Sequence, residues 1–247
     1  MPRKVLFCAT VDSHFKSFHL PYIEWFAKQN WEVHVAANGN SNLPFVHKKY
    51  RIPIERSPFH LGNLRAYRAL KSIIAENHYD IIHCHTPLGG VLARLASRKV
   101  RKRGTKVLYT AHGFHFCKGA SLLSWLIYYP VEKSLARVTD CLITINEEDY
   151  GLAKRKRFNA GRIERVHGVG VDTDQFRPMS PAERIMSRQR FGFEPEHFLM
   201  FYAAEFNKNK NHQFLIHALA VILAEAPEAR LLLAGEGPLL EDCRKLA

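Results

Sequence analysis

Three pieces of one stretch decide the fold: Tyr79-Asp-Ile-Ile-His83, then Gly89-Gly-Val-Leu-Ala-Arg-Leu-Ala-Ser-Arg-Lys-Val100, then Lys106-Val-Leu-Tyr-Thr110. The first and third are short and β-rich, which predicts two strands. The middle piece has helical spacing, with Leu92, Leu95 and Ala96 on one face. A strand, a helix and a strand at this spacing make a crossover unit, and such units build parallel sheets. The rhythm extends in both directions. Upstream lie a strand at Val5–Thr10, helical spacing in Phe18, Tyr22, Ile23, Phe26 and Ala27 closed by Asn30, a strand at Glu32–Ala37 and a helix over Leu64–Asn77. Downstream comes a strand at Cys141–Ile145. The expected class is α/β, a mostly parallel sheet wound on both faces, with ligands bound where strand ends and loops share a crevice.

The turn-rich run Gly168–Pro178 reads as a linker. After it the rhythm restarts, with a charged helical pattern, a strand at Phe198–Ala203, a helix over Asn211–Ala224, a strand at Ala229–Ala234 and a helix opened by Pro238. Two domains are therefore expected, 1–178 and 179–247, the second with only two strands. A pair of strands makes a poor independent core, so apolar positions such as Phe214, Leu215 and Leu219 are expected to favour pairing or aggregation.

The chain has 247 residues, 47% hydrophobic and 24% charged, which excludes disordered and fibrous classes. Its net charge of +13 is uneven, with +14 in residues 1–178 and −1 in residues 179–247. A basic first part implies an anionic partner: nucleic acid, a membrane surface or a phosphorylated substrate. Five cysteines without a CxxC pair argue against a disulfide framework or structural zinc, and point to a reducing compartment. The apolar stretches Leu122–Val131 and Phe214–Ala224 fall short of the roughly 20 residues of a membrane span. The expected location is cytoplasmic, peripheral to a membrane at most.

Several familiar signals are missing. There is no GxxxxGK[ST] loop and no DxD motif, and Gly168-Val-Gly170 and Gly235-Glu-Gly237 each lack the third glycine of a dinucleotide fingerprint. His83-Cys-His85 puts two imidazoles on one face of a strand, where a structural or substrate-facing role is favoured over a metal. Thr110-Ala-His112-Gly-Phe-His115-Phe116 starts at a strand C-terminus, and Gly113 lets a backbone approach a ligand. A turn with a satisfied histidine explains that run equally well. Glu205-Phe-Asn-Lys-Asn-Lys210-Asn-His212 offers lysine ahead of a helix, a plausible phosphate site, although a solvated loop is the plainer reading. Arg94–Lys106 carries seven cations and no acid, and Lys154–Arg157 is a second basic run. Aromatics do not interleave with either, so a solvated face or an anionic membrane fits better than nucleic acid. Between them, Trp125, Tyr128 and Tyr129 belong to core or to a bilayer interface.

Taken together, the motifs carry a resemblance. Asp80–Pro87, Tyr109–Phe116, Tyr128–Lys133, Thr139–Asn146 with Glu148–Tyr150, Gly168–Asp172, Glu205–His212 and Gly235–Pro238 resemble glycosyltransferase family 4, the retaining sugar-nucleotide enzymes of GT-B fold. The likeness is strongest to members that build bacterial capsule and exopolysaccharide. It implies a complete N-terminal Rossmann-like domain facing the acceptor, a partial C-terminal domain for the nucleotide-sugar, and an active site in the cleft between them. It implies that His112 contacts the donor sugar, and that Lys210, with Glu205, Gly113 and the turn at Ser13 and His14, serves the donor diphosphate and sugar. Glu205 stands where many members have arginine, and His167 where proline is usual. Trp125, Tyr128, Tyr129, Arg101 and Lys102 are the expected acceptor or membrane face.

The expected partners are a UDP-sugar or other nucleotide-sugar, a lipid-linked glycan acceptor and an anionic membrane. No cofactor, metal or nucleic acid is expected. The family's later Glu-x7-Glu segment is not in this chain. That leaves two alternatives to a transferase acting alone: a truncated acceptor- or membrane-binding module without catalysis, and a half-enzyme completed by a partner chain or by self-association.

Overall fold

The computed structural model describes residues 2–247, which fall into two compact units divided between Val171 and Asp172. The first unit holds seven parallel strands: β1 (Lys4–Val11), β2 (Glu32–Asn38), β3 (Lys48–Arg51), β4 (Ile81–His85), β5 (Lys106–Ala111), β6 (Cys141–Thr144) and β7 (Arg162–Arg165). Its helices are α1 (Ser13–Phe18), α2 (Leu20–Lys28), α3 (Gly62–Asn77), α4 (Pro87–Ala96), α5 (Arg98–Arg101), α6 (Leu122–Ala136) and α7 (Glu147–Arg155). Successive side chains of a strand point to opposite faces. Leu6 and Cys8 of β1 therefore enter one core with Ile82, Leu70, Ile74, Leu92 and Leu142. Val5, Phe7 and Ala9 enter the other with Val33, Val35 and Ile23 of α2. The expected sheet wound on both faces is present.

Several boundaries differ from the sequence reading, each for a local reason. The strand expected at Tyr79–His83 is Ile81–His85. Asp80 closes its start, because the Asp80 carboxylate accepts from the Lys4 N–H at 2.7 Å, and the Tyr79 carbonyl accepts from the Thr105 hydroxyl at 2.7 Å instead of from a strand neighbour. The helix expected over Gly89–Val100 is two, broken at Ser97, whose hydroxyl bonds back to the Ala93 carbonyl at 2.6 Å. The turn expected at Ser13 and His14 is the first turn of α1, which follows β1 directly with Asp12 at the cap.

The second unit contains α8 (Pro181–Arg190), β8 (Phe198–Ala203), α9 (His212–Ile222), β9 (Ala229–Ala234) and α10 (Leu240–Leu246). Strands β8 and β9 pair in parallel as a two-stranded sheet.

Candidate functional site

The strand order β3-β2-β1-β4-β5-β6-β7 reverses direction between β1 and β4. In sheets wound this way, ligands bind beyond the strand C-termini at that reversal. The residues there are Asp12–His14 after β1, His85 and Thr86 at the end of β4 and His112 after β5. Thr86 is held at φ 62°, outside the ordinary range for threonine. Two bonds from Thr10 fix it there: the backbone N–H at 2.9 Å and the hydroxyl at 2.8 Å, both to Thr86 Oγ1. Gly89 then brings α4 onto β1, since a Cβ at that position would stand 2.8 Å from the Ala9 Cα.

Four imidazoles converge over these strand ends. His14 Nε2 is 3.3 Å from His112 Nε2 and 3.1 Å from His19 Nε2, and His112 Nε2 is 3.4 Å from His85 Nδ1. His85 and His19 are buried, and His14 and His112 partly so. Burial, with repulsion from neighbouring imidazoles, holds His14 down to about 4 and His19 to about 2, and pushes His85 well below the usual histidine range. Burial also lowers His112. All four are therefore neutral at neutral pH. The next ring, His83, hydrogen-bonds the Thr110 hydroxyl at 2.9 Å. Two hollows flank the cluster. One of about 100 Å³ is lined by His19, His85, His112, Ile143 and Val169, and one of about 330 Å³ by His14, Arg56, Thr86, His115 and Tyr128.

Of the expected site residues, the structure brings His14, His112 and Gly113 together. Nothing lies within 4 Å of where a Gly113 side chain would project, so the backbone there is open. Its loop is anchored by buried Asp149 at the head of α7, which accepts from the Phe114 N–H at 3.0 Å and from Asn146 Nδ2 at 2.9 Å. Ser13 is exposed in the first turn of α1.

The expected membrane face needs correcting. Trp125 and Tyr129 pack inward with ring centroids 5.6 Å from Phe116, and Tyr128 lies 4.6 Å from His115. The outward face of α6 carries Leu122, Leu123, Leu126, Ile127 and Val131 instead, with Leu122 82% exposed. Arg101 is not free, because its guanidinium spans both Asp140 oxygens at 3.0 Å, whereas Lys102 is exposed. Nor does Arg94 belong to a solvated basic face. It is 1% exposed, lies 3.8 Å over the Tyr109 ring and makes paired bonds to Glu132.

In the second unit, Glu205 and Lys210 stand exposed on the loop between β8 and α9. Asn207 Nδ2 donates to Glu205 at 2.9 Å, and the Lys210 N–H donates to Asn207 Oδ1 at 3.0 Å. The Lys210 ammonium has no ion-pair partner among the described residues. Gly235 and Gly237 lie against this loop: Cβ atoms there would stand 2.1 Å from the Ala204 carbonyl oxygen and 2.6 Å from the Phe206 one. Their shared purpose is close backbone approach.

Sequence reasoning missed His19 and Asp149 as parts of the site. His19 hid between two apolar helical runs, and the signal for it was Pro21, which starts α2 and leaves His19 at the junction.

Comparisons with known proteins bear on the family and the fold. Residues 4–146 match the family model described as "Glycosyl transferase 4-like". The chain is 57% identical over its full length to EpsD of Bacillus subtilis (strain 168), a protein named as a glycosyltransferase, and spans 65% of it. It is 24% identical over 187 residues, 74% of the chain and 47% of the relative, to the Escherichia coli UDP-Gal:alpha-D-GlcNAc-diphosphoundecaprenol alpha-1,3-galactosyltransferase. Among solved structures, sucrose-phosphate synthase of Thermosynechococcus elongatus superposes with a TM-score of 0.70 at 17% identity, over 100% of this chain and 66% of that one, a likeness of fold alone. With its strand order, its reversal-point loops and a family match over residues 4–146, the chain belongs to the glycosyl transferase 4-like family.

Proposed function

We propose that the chain serves a retaining glycosyltransferase that moves a sugar from a nucleotide-sugar, of UDP type, to a lipid-linked or glycan acceptor in cell-surface polysaccharide synthesis. The observation that carries the reading is His112 beside an open Gly113 at the reversal point of the sheet, inside the family match. The relatives' names support it, one as a glycosyltransferase and one as acting on a diphosphoundecaprenol-linked sugar.

Breaking a glycosyl–diphosphate bond builds negative charge on the departing phosphate. Lys210, without an ion-pair partner among the described residues and ahead of α9, is assigned to that charge. His112 is assigned to the donor sugar near the reacting carbon, which passes through an oxocarbenium-like state. Retention requires the acceptor to attack the face that the diphosphate leaves. The departing phosphate oxygen takes the acceptor proton, so no protein nucleophile is required. At the membrane, the apolar outward face of α6 is assigned to the lipid surface, and the basic charge of the first unit to its anionic headgroups.

Calorimetric titration with UDP and UDP-sugars, followed by a transfer assay on undecaprenyl-diphosphate sugars, tests the reading. Donor binding and transfer are expected, with transfer abolished by His112→Ala and by Lys210→Ala. Transfer that survives both changes sinks the site assignment. A folded chain that binds anionic vesicles but no nucleotide-sugar favours the non-catalytic module. Donor binding regained only with a co-purifying Rossmann-like chain favours the half-enzyme.

A further inference from the structure

The four imidazoles over the strand ends do more than hydrogen-bond one another. One ligand nitrogen from each of His14, His19, His85 and His112 lies within 4.8 Å of all the others. Hydrogen bonding alone leaves this group unsatisfied. His14 Nε2 faces two ring nitrogens, His19 Nε2 and His112 Nε2, and His112 Nε2 faces two, His14 Nε2 and His85 Nδ1. A neutral imidazole nitrogen carries one proton or one lone pair, so neither can complete both contacts with a full bond. A buried polar group left this way costs free energy that a ligand recovers.

The separations fit a cation. Zinc–imidazole bonds of about 2.0–2.1 Å in a tetrahedron put neighbouring nitrogens about 3.3–3.4 Å apart. Three of the six nitrogen pairs stand at 3.1, 3.3 and 3.4 Å, and all six lie within 4.8 Å. Four imidazole nitrogens gathered within 4.8 Å of one another, without carboxylate or thiolate, suit a borderline divalent transition ion over magnesium or calcium. From this convergence we infer that His14, His19, His85 and His112 form a tetrahedral site for a zinc-type divalent ion, in a protein whose sequence gave no expectation of metal. Four protein ligands leave no open coordination position, so the ion braces the loops after β1, β4 and β5. His112 Nε2 cannot hold the ion and a sugar hydroxyl together, so a loaded site blocks transfer. This last consequence rests on the reading under Proposed function, whereas the site itself does not.

The test is titration of the purified, chelator-treated chain with Co²⁺, followed by Zn²⁺. The expected result is one equivalent bound, with the intense visible absorption of tetrahedral Co²⁺, discharged by one equivalent of Zn²⁺. His19→Ala and His85→Ala are expected to weaken binding by more than the roughly 10–100-fold that losing a supporting group costs. Circular dichroism confirms that each variant is folded. A weak octahedral spectrum or no binding at micromolar protein overturns the site, and so does undiminished affinity in both folded variants. The wild-type spectrum decides the matter even if a variant fails to fold. Zn²⁺ that binds with this spectrum yet leaves transfer unchanged keeps the site and removes its link to His112 in the transfer reaction.

Discussion

At the scale of single residues, buried charge and buried imidazole dominate. Arg94 lies in the core with its guanidinium on Glu132 and its Nε donating to the Gly90 carbonyl at 2.9 Å. Removing one partner of such a pair strands the other in a low-dielectric interior, so Arg94→Met is expected to cost about 3–5 kcal/mol. Arg94→Met combined with Glu132→Leu is expected to recover most of that loss, measured by urea unfolding. A double variant no more stable than the single one would mean that packing, not stranded charge, sets the cost. His34 on β2 gives a pH effect. It is buried between Tyr79 and Glu32, and burial outweighs the raising effect of Glu32, so its folded value lies below the ordinary one. In the unfolded chain it takes a proton near about 6.5. Between the two values the unfolded chain holds more protons, so this contribution is whole above about 6.5 and falls as pH drops towards the folded value. The stability of wild type relative to His34→Phe is therefore expected to fall from about pH 7.5 to about pH 5.5. A difference that stays flat across that range refutes the assignment.

At the scale of elements, the packing of α4, in the crossover from β4 to β5, against β1 is set by contact between backbones. A Cβ on Gly89 would stand 2.8 Å from the Ala9 Cα and 2.9 Å from the Ala9 carbonyl carbon, and one on Gly90 would meet the Tyr109 ring. A methyl at Gly89 meets main chain that cannot rotate away, so Gly89→Ala is expected to cost about 1–3 kcal/mol and displace α4 from the sheet. Thermal unfolding would show it, and an unchanged midpoint would mean the helix shifts freely. The same elements show what the sequence disclosed. The strands β1, β2, β5, β8 and β9 were legible within about two residues, because apolar runs bounded by turns leave little choice. The short edge strands β3 and β7 were not, since Lys48-Lys-Tyr-Arg51 and Arg162-Ile-Glu-Arg165 are mostly charged and carry no apolar alternation. Helix α6 stayed hidden because its apolar residues occupy all sides and Pro130 interrupts it. The histidine cluster was legible only in part. His112 stood out beside Gly113, but its meeting with His14 and His85 depends on β1, β4 and β5 lying side by side, which spacing along the chain does not reveal.

At the scale of the whole molecule, the two units differ in how much structure guards each backbone bond. In the first, β1 and β4 lie inside a seven-stranded sheet, and Val5 to Ala9 are all fully buried. In the second, β8 and β9 have only each other as neighbours, and Phe198 and Phe201 are 62% and 68% exposed. Its buried residues are few, Phe206, His212, Ala229 and Cys243. Local opening takes least free energy where few apolar contacts must break and the backbone bonds face water. Amides of β8 and β9 are therefore expected to exchange with deuterium at least about tenfold faster than those of β1 and β4, and to be lost first on heating. The comparison also tests what covers the exposed phenylalanines in solution. A ligand or second chain that binds only the folded unit slows exchange in proportion to its occupancy. Protection of β8 and β9 equal to that of β1 and β4 would refute the expectation for the isolated chain. If that protection faded on dilution, self-association would be its source. If it appeared only with a nucleotide-sugar present, it would place the donor on the loop that carries Glu205 and Lys210.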